Sequence, residues 1–419
     1  MKNLKTILLL FFANSISGVA QGISLIAIPW YFAQTDDMQL FGIIYIVVTI
    51  ISLFWVPYGG TLIDKYSRKS IFLWLTAICG SIILIVAGYG YYQGVLPAFL
   101  VAMVFIVTFL NFNIHYPNLY AFLQEISDKK DYGKITSYVE IQGQTTSMLA
   151  GAFAAMLLEG TKNEHLIIFG FNINLGFDIE KWSIHEIFLM DGITYFVSFL
   201  TIMLIRYKPI ERLQIITDPL IVQIKDGFLY LKQNMAVFIF GLASYSVFVA
   251  VLIEGFYLGV QYVSNHLDAD SAVYASSTMY YAIGAILAGS FIRRLFGKIS
   301  TPSAVIILSF MTTIIFLVLY LTSSEIIFYS MLFLLGVSNA GTRVMRTTYL
   351  FHHISNDYFG RANGILFLSN IIFRIIFLSI FTLAFFQKDN VIYAFLVMAA
   401  FLLISSIILI VNKKYLKKD

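Results

Sequence analysis

The sequence predicts an all-α polytopic membrane protein with twelve transmembrane helices, and three observations predict it. Of the 419 residues, 59% are hydrophobic and only 12% are charged, about half the ~25% charged share of an ordinary soluble domain. The apolar residues gather in runs of about 20, the length that crosses a hydrocarbon core of roughly 30 Å. With the amino terminus inside, 21 of the 27 Lys and Arg fall in inner connectors and three, Lys162, Lys181 and Lys388, in outer ones. That is the asymmetry that retains positive loops in the cytoplasm. It places both termini inside, which requires an even number of helices.

Apolar runs bounded by charge, Gly, Pro or Asn place the helices at 6–33, 39–62, 71–91, 96–123, 136–158, 185–205, 236–263, 271–292, 302–322, 325–349, 362–386 and 391–411. In a bilayer the backbone polar groups must be satisfied within the chain. Long runs without strict alternation therefore read as helices and exclude a β-barrel. Lys2 and Lys5 precede an apolar run that continues past Gly18-Val19-Ala20 to Phe32, too long for the core of a signal peptide, so it reads as the first span. The connector 159–184 reads as an outer loop. In the connector 207–235, Leu220, Ile224, Phe228 and Leu231 recur at helical spacing opposite Gln223, Lys225 and Asp226, the pattern of a helix lying in the membrane interface. The expected organisation is a six-helix bundle over 1–206, a cytoplasmic linker over 207–235 and a second bundle over 236–419.

The net charge of +4 lies in the inner connectors, with no basic run on a soluble module, so nucleic acid is not an expected partner. A single cysteine, Cys79, excludes an intramolecular disulfide and a thiolate metal cluster. The chain has no H-E-x-x-H, no phosphate-binding G-x-x-x-x-G-K-[ST] and no G-x-S-x-G elbow in a suitable context. An enzyme, a resident metal or a cofactor is therefore not expected. The expected partners are a small-molecule substrate, protons and the bilayer, and the expected state is a monomer in the cell inner membrane.

The chain repeats itself at half its length. GGTLIDKYSRKS follows helix 2 and AGSFIRRLFGKIS follows helix 8, with Gly60 and Gly289 in equivalent places. ISDKKDYGKITS follows helix 4 and ISNDYFGRANG follows helix 10, with Gly133 and Gly360 equivalent at nearly the same separation. Two echoes at one offset imply parallel six-helix halves related by an axis along the membrane normal. GGTLIDKYSRKS resembles the loop 2–3 signature of the major facilitator superfamily, G-x-L-x-D-x-x-G-R-K, at Gly60, Leu62, Asp64, Arg68 and Lys69, and departs from it at Ser67. ISLIAIPWYF in helix 1 and FLMDGITYFVSFL in helix 6 resemble the macrolide and enterobactin exporter branch. The helix-5 segment SMLAGAFAAML lacks the Pro of the drug-antiporter signature, so antiport is not inferred from it. The resemblance implies secondary transport by alternating access, with Gly60, Asp64, Arg68 and Lys69 as a gating motif.

Ionisable residues inside a membrane are costly unless they face a cavity or a partner, which makes each a functional candidate. Glu254, Glu140 and Asp191 are the proton-coupling candidates, with Asp191 also reading as a structural hydrogen-bonding group and Glu140 as an inner-surface charge. His115, Arg343, Arg346 and Arg374, with Gln21 and Asn113, are the substrate-binding candidates; Arg346 also reads as a snorkelling residue paired with lipid phosphate. Arg343 follows His115 at the offset of the repeat, so the two occupy matching places in the halves. The reading that results is proton-coupled export of an amphipathic organic solute. Uptake of a nutrient or siderophore, ferroportin-like metal export, and an enzyme or receptor on the same fold are the alternatives, and helix 1 lacks the His, Asp or Cys that a metal route would use.

Overall fold

The computed structural model describes residues 3–128, 131–161, 164–168, 171–174, 176–206 and 220–416. The first six long helices are α1 (Leu4–Gln34), α2 (Met38–Lys65), α3 (Arg68–Gln93), α4 (Ala98–Ile126), α5 (Tyr132–Glu159) and α6 (Ile184–Met203). After the short α7 (Leu220–Gln233) comes the span Met235–His266. It comprises α8 (Met235–Ile253), a π-helical turn Glu254–Leu258, α9 (Gly259–Gln261) and a second π turn Tyr262–His266. Then follow α10 (Ser271–Phe296), α11 (Thr301–Leu321), α12 (Glu325–His353), α13 (Asn356–Phe381), α14 (Val391–Val411) and the short α15 (Lys413–Leu416). These include the twelve long helices expected. Among the described residues, 11 helices are long and apolar enough to cross a membrane. The twelfth, α5, is less apolar because Gln142, Gln144, Thr145, Thr146 and Ser147 occupy its middle.

Local chemistry sets the ends. Gly94 closes α3 at φ 79° and donates its N–H to Gly90 O at 2.8 Å, the left-handed turn that lacks a penalty only for glycine. Glu186 in the first turn of α6 accepts the Ser183 N–H at 2.6 Å and the Ser183 hydroxyl at 2.8 Å, one arm of a capping box. Pro302 opens α11, where its missing N–H costs nothing. The connector expected as loop instead contains an antiparallel hairpin, β1 (His165–Ile168) with β2 (Phe171–Asn174). Its strands are too short for alternation to stand out from the Phe, Ile and Asn around them.

The chain divides into two compact units, residues 1–215 with 270–279, and residues 216–269 with 280–419. The first has a core of Ile7, Leu10, Phe72, Leu119, Phe122 and Ile202. The second is built around Phe240, Leu308, Tyr349, Leu366 and Leu409. Within the second unit α10 and α12 cross backbone to backbone: a Cβ on Gly284 would collide with Phe333 O, and one on Gly336 with Tyr281 O. Small residues permit this approach where apolar side chains gain nothing by leaving lipid. Within the stretch expected as linker, α7 covers Leu220–Gln233. It buries Gly227 and Leu231, pairs Asp226 with Arg361 at 3.2 Å and stacks Tyr230 on Tyr358. Ile224 and Phe228 remain exposed, as on a helix with one face on the protein and another toward lipid.

Candidate functional site

In the first unit, neutral polar groups of α1, α4 and α5 meet in one network. His115 Nε2 lies 2.7 Å from Asn14 Oδ1, and Asn14 Nδ2 donates to Gln142 Oε1 at 3.1 Å. Gln142 Nε2 donates to Phe11 O and Ser15 Oγ, both at 2.6 Å. The His115 ring also meets Phe72 edge-on at 5.0 Å. Beside it lies a cavity with room for about one water, lined by the polar Asn14, His115 and Ser198 and by Leu10, Phe72 and Ile202 among its apolar walls. Asp191 is fully buried in α6 and accepts from Ser24 Oγ of α1 at 2.7 Å. Gly192 beside it packs on Leu84 of α3, so Asp191 sits where α1, α3 and α6 pack. Glu140 is half-buried and accepts from Tyr120 OH at 3.0 Å. Asn113 Nδ2 donates to Ser52 Oγ at 3.2 Å, tying α4 to α2, and Gln21 Nε2 is buried without a hydrogen-bond partner among the described residues.

The loop after α2 divides its charges among different tasks. Arg68 is buried and pairs with Glu125 at the end of α4, Nε to Oε1 3.3 Å, while its carbonyl accepts from Asn118 Nδ2 at 2.9 Å. Lys69 Nζ donates to Met203 O at 2.9 Å and Ile205 O at 2.7 Å, capping the carbonyl end of α6 where a cation is favoured. Gly60 faces open space. The side chain of Asp64 lies outside the described residues.

The second unit gathers charge. Glu254 is 4% exposed at the first residue of the π turn. The Glu254 Oε1 is folded back along its own helix, 2.7 Å from where a Cβ on Gly259 would stand. The wide turn and the bare glycine together make room for the carboxyl group. Among the described residues no Lys or Arg lies within ion-pair distance of it. Tyr281 of α10 accepts a hydrogen bond from Asn339 Nδ2 of α12 at 2.6 Å and lies in electrostatic range of both Arg343 and Glu254. One turn further along α12, the Arg346 guanidinium lies over the Tyr245 ring, 3.7 Å from its centroid, with Nη1 3.4 Å from Ser244 O. Arg346 is thus turned into α8 and is only 6% exposed, which is not the posture of a snorkelling side chain. Arg343 is exposed, and Arg374 is buried in α13. Among the described residues no three His, Cys, Asp or Glu converge to hold a metal ion.

A family model described as "Major Facilitator Superfamily" matches residues 10–377. The chain belongs to the Major Facilitator Superfamily. Solved structures of this superfamily's shape are similar to the chain along its whole length. The nucleoside transporter NupG is 13% identical, covers 98% of this chain and 100% of its own, and gives a TM-score of 0.70. A bacterial homologue of the iron transporter ferroportin, in an inward-facing state, is 14% identical over 100% of both chains with a TM-score of 0.68. A D-xylose-proton symporter is 11% identical, covers 96% of this chain and 97% of its own, and gives 0.69. No curated protein sequence matches. At such identities the likeness shows the fold alone.

Several residues of these clusters were not singled out by the sequence. Gln142, Tyr245, Tyr281, Asn339 and Glu125 are ordinary side chains in composition, and only their partners make them notable. One signal was available: Gln142 and Asn370 are separated by the same offset that relates His115 to Arg343.

Proposed function

We propose that the chain is a proton-coupled secondary transporter that exports a small amphipathic organic solute, with Glu254 as the proton carrier. The observation that carries this reading is the Glu254 carboxyl group, buried at a π turn with no Lys or Arg within ion-pair distance among the described residues. π turns interrupt the regular ladder of a helix and frequently mark functional positions, and an intramembrane acid with no ion-pair partner is most stable when it can take up a proton. A charged group arriving near Arg343, or leaving it, changes the field at Tyr281 and Glu254 together, which links solute to proton. Export rests on the resemblance of the helix-1 and helix-6 segments to the macrolide and enterobactin branch.

Arg68 and Glu125 form the contact proposed to break and reform as the transporter changes state, since ion pairs at helix ends are contacts that such transitions exchange. Asp191 and Glu140, each hydrogen-bonded to a hydroxyl, are the weaker carriers.

The test is proton flux in vesicles under an imposed pH gradient while amphipathic solutes are added. Solute-dependent flux in the wild type that is lost in Glu254→Gln and kept in Glu140→Gln and Asp191→Asn supports the reading. Flux that survives Glu254→Gln moves the proton elsewhere, and a wild type in which no solute moves protons removes coupling altogether.

A further inference from the structure

We propose that the solute carries an oxyanion, a carboxylate or a phosphate, and that Arg346 receives it. This rests on the transport reading above and names the class of solute. The guanidinium is committed on one face to the Tyr245 ring at 3.7 Å and at one nitrogen to the Ser244 carbonyl at a long 3.4 Å. Among the described residues no carboxylate lies within ion-pair distance of it. A guanidinium that is 6% exposed and uncompensated is costly to keep, and a cation–π contact offsets only part of that cost. The arrangement becomes favourable when an oxyanion accepts from the remaining N–H groups of the planar fork, the geometry for which arginine is suited and lysine is not.

The receptor is held in place before any ligand arrives. Tyr245 OH donates to Asn363 Oδ1 of α13 at 3.3 Å, which fixes the ring under the guanidinium. On α13, Leu366 packs against Gly241 of α8, and Asn370, two turns beyond Asn363, is fully buried with neither its Nδ2 nor its Oδ1 partnered. Two turns of helix return to the same face. A neutral donor and acceptor thus lie unsatisfied on the α13 face that carries the Tyr245 partner, where buried amides ordinarily find partners. An amphipathic anion meets both needs: its charged end takes Arg346, and a neutral polar group takes Asn370.

The experiment uses the purified full-length protein in detergent and two matched probe pairs, 1-naphthoate with 1-naphthamide and 1-naphthyl phosphate with 1-naphthol. Equilibrium binding is measured without any gradient. The wild type is expected to bind at least one anion about 10-fold or more tightly than its neutral partner, as a charge-assisted bond in a dry site allows. The preference is expected to vanish in Arg346→Met and to fall, without vanishing, in Arg346→Lys. Arg346→Met is expected to melt no lower than the wild type, since it removes a buried unneutralised charge. Three results overturn the proposal: no anion preference in the wild type, a preference that survives Arg346→Met, or a melting temperature lowered alike in Arg346→Met and Arg346→Lys, which marks a structural arginine. Nanodiscs of phosphatidylcholine with and without phosphatidylglycerol separate the sources of phosphate. Stabilisation of the wild type over Arg346→Met by phosphatidylglycerol alone, with no response to the soluble anions, assigns Arg346 to a lipid headgroup and also overturns it. Because binding is read apart from proton flux, anion binding without flux removes only the coupling, and flux driven equally by the neutral partners removes only this proposal.

Discussion

Gln142 in α5 and Asn370 in α13 stand at matching places in the two halves of the repeat, and they are treated in opposite ways. Gln142 uses its whole amide: Oε1 accepts from Asn14, and Nε2 donates to Phe11 O and Ser15 Oγ. Asn370 is buried with neither amide atom partnered. The residues around them follow suit. In the first unit His115 joins a network of neutral groups with Asn14 and Gln142, whereas in the second Arg346 and Glu254 are buried with no carboxylate against Arg346 and no base against Glu254 among the described residues. A satisfied neutral network fixes side chains in one arrangement. Unbalanced buried charge is unfavourable in isolation and is resolved by a proton or an ion from outside. The comparison therefore points to the Gln142 network as scaffolding and to the Arg346 and Glu254 region as a working part.

The largest effect expected from breaking this contrast is in transport. Glu254→Gln should lower solute-driven proton flux by roughly 100-fold or more, the scale on which a lost proton-transfer group is felt, while a Gln142→Leu protein that is still folded should retain most of its flux. Equal loss in both would erase the distinction between the units. Stability should show the reverse order. Gln142→Leu leaves Asn14, Ser15 and the Phe11 carbonyl short of partners and should cost about 1–3 kcal/mol. Asn370→Leu replaces an unsatisfied amide by an apolar side chain of similar size and should cost nothing or stabilise slightly. Unfolding of the two variants in one detergent, followed in parallel, is the check, and comparable losses would contradict it.

Smaller effects sharpen the picture inside the first unit. A double-mutant cycle on Arg68→Ala and Glu125→Ala should give a coupling of about 1 kcal/mol, read from melting; a coupling near zero would mean that the 3.3 Å approach contributes only charge placement. Lys69→Met removes the cation from the carbonyl end of α6 and should cost about 0.3–1 kcal/mol. That loss should shrink in Lys69→Arg, which can still reach the carbonyls.

The architecture was legible because lipid imposes length and polarity on each helix, and twelve runs of the right length leave little else to build. Leu220, Ile224, Phe228 and Leu231 recur at helical spacing, and α7 covers Leu220–Gln233. The hairpin in 159–184 was not legible, because strands as short as β1 and β2 leave no pattern long enough to read. At the site, charge inside a helix pointed to Glu254, Arg343 and Arg346, but nothing in the sequence says which way a side chain turns. Arg346 reads as a snorkelling residue until Tyr245 is found beneath it. Arg68 pairs with Glu125, at the far end of α4, a partner that chain order does not suggest. Pairings of this kind depend on helix packing, which periodicity does not encode.

The two π turns at Glu254–Leu258 and Tyr262–His266 also govern which changes of length this helix can absorb. A π turn holds about one residue more than an α turn, so deleting a residue such as Gly255 can be taken up by a return to α geometry, leaving the rest of the helix facing as before. The same deletion within α8 would rotate everything beyond it by about 100°, since an α-helix turns once in about 3.6 residues, and would carry Glu254 to another face of the helix. The span thus contains slack at two levels, and one of them is where its carboxylate sits.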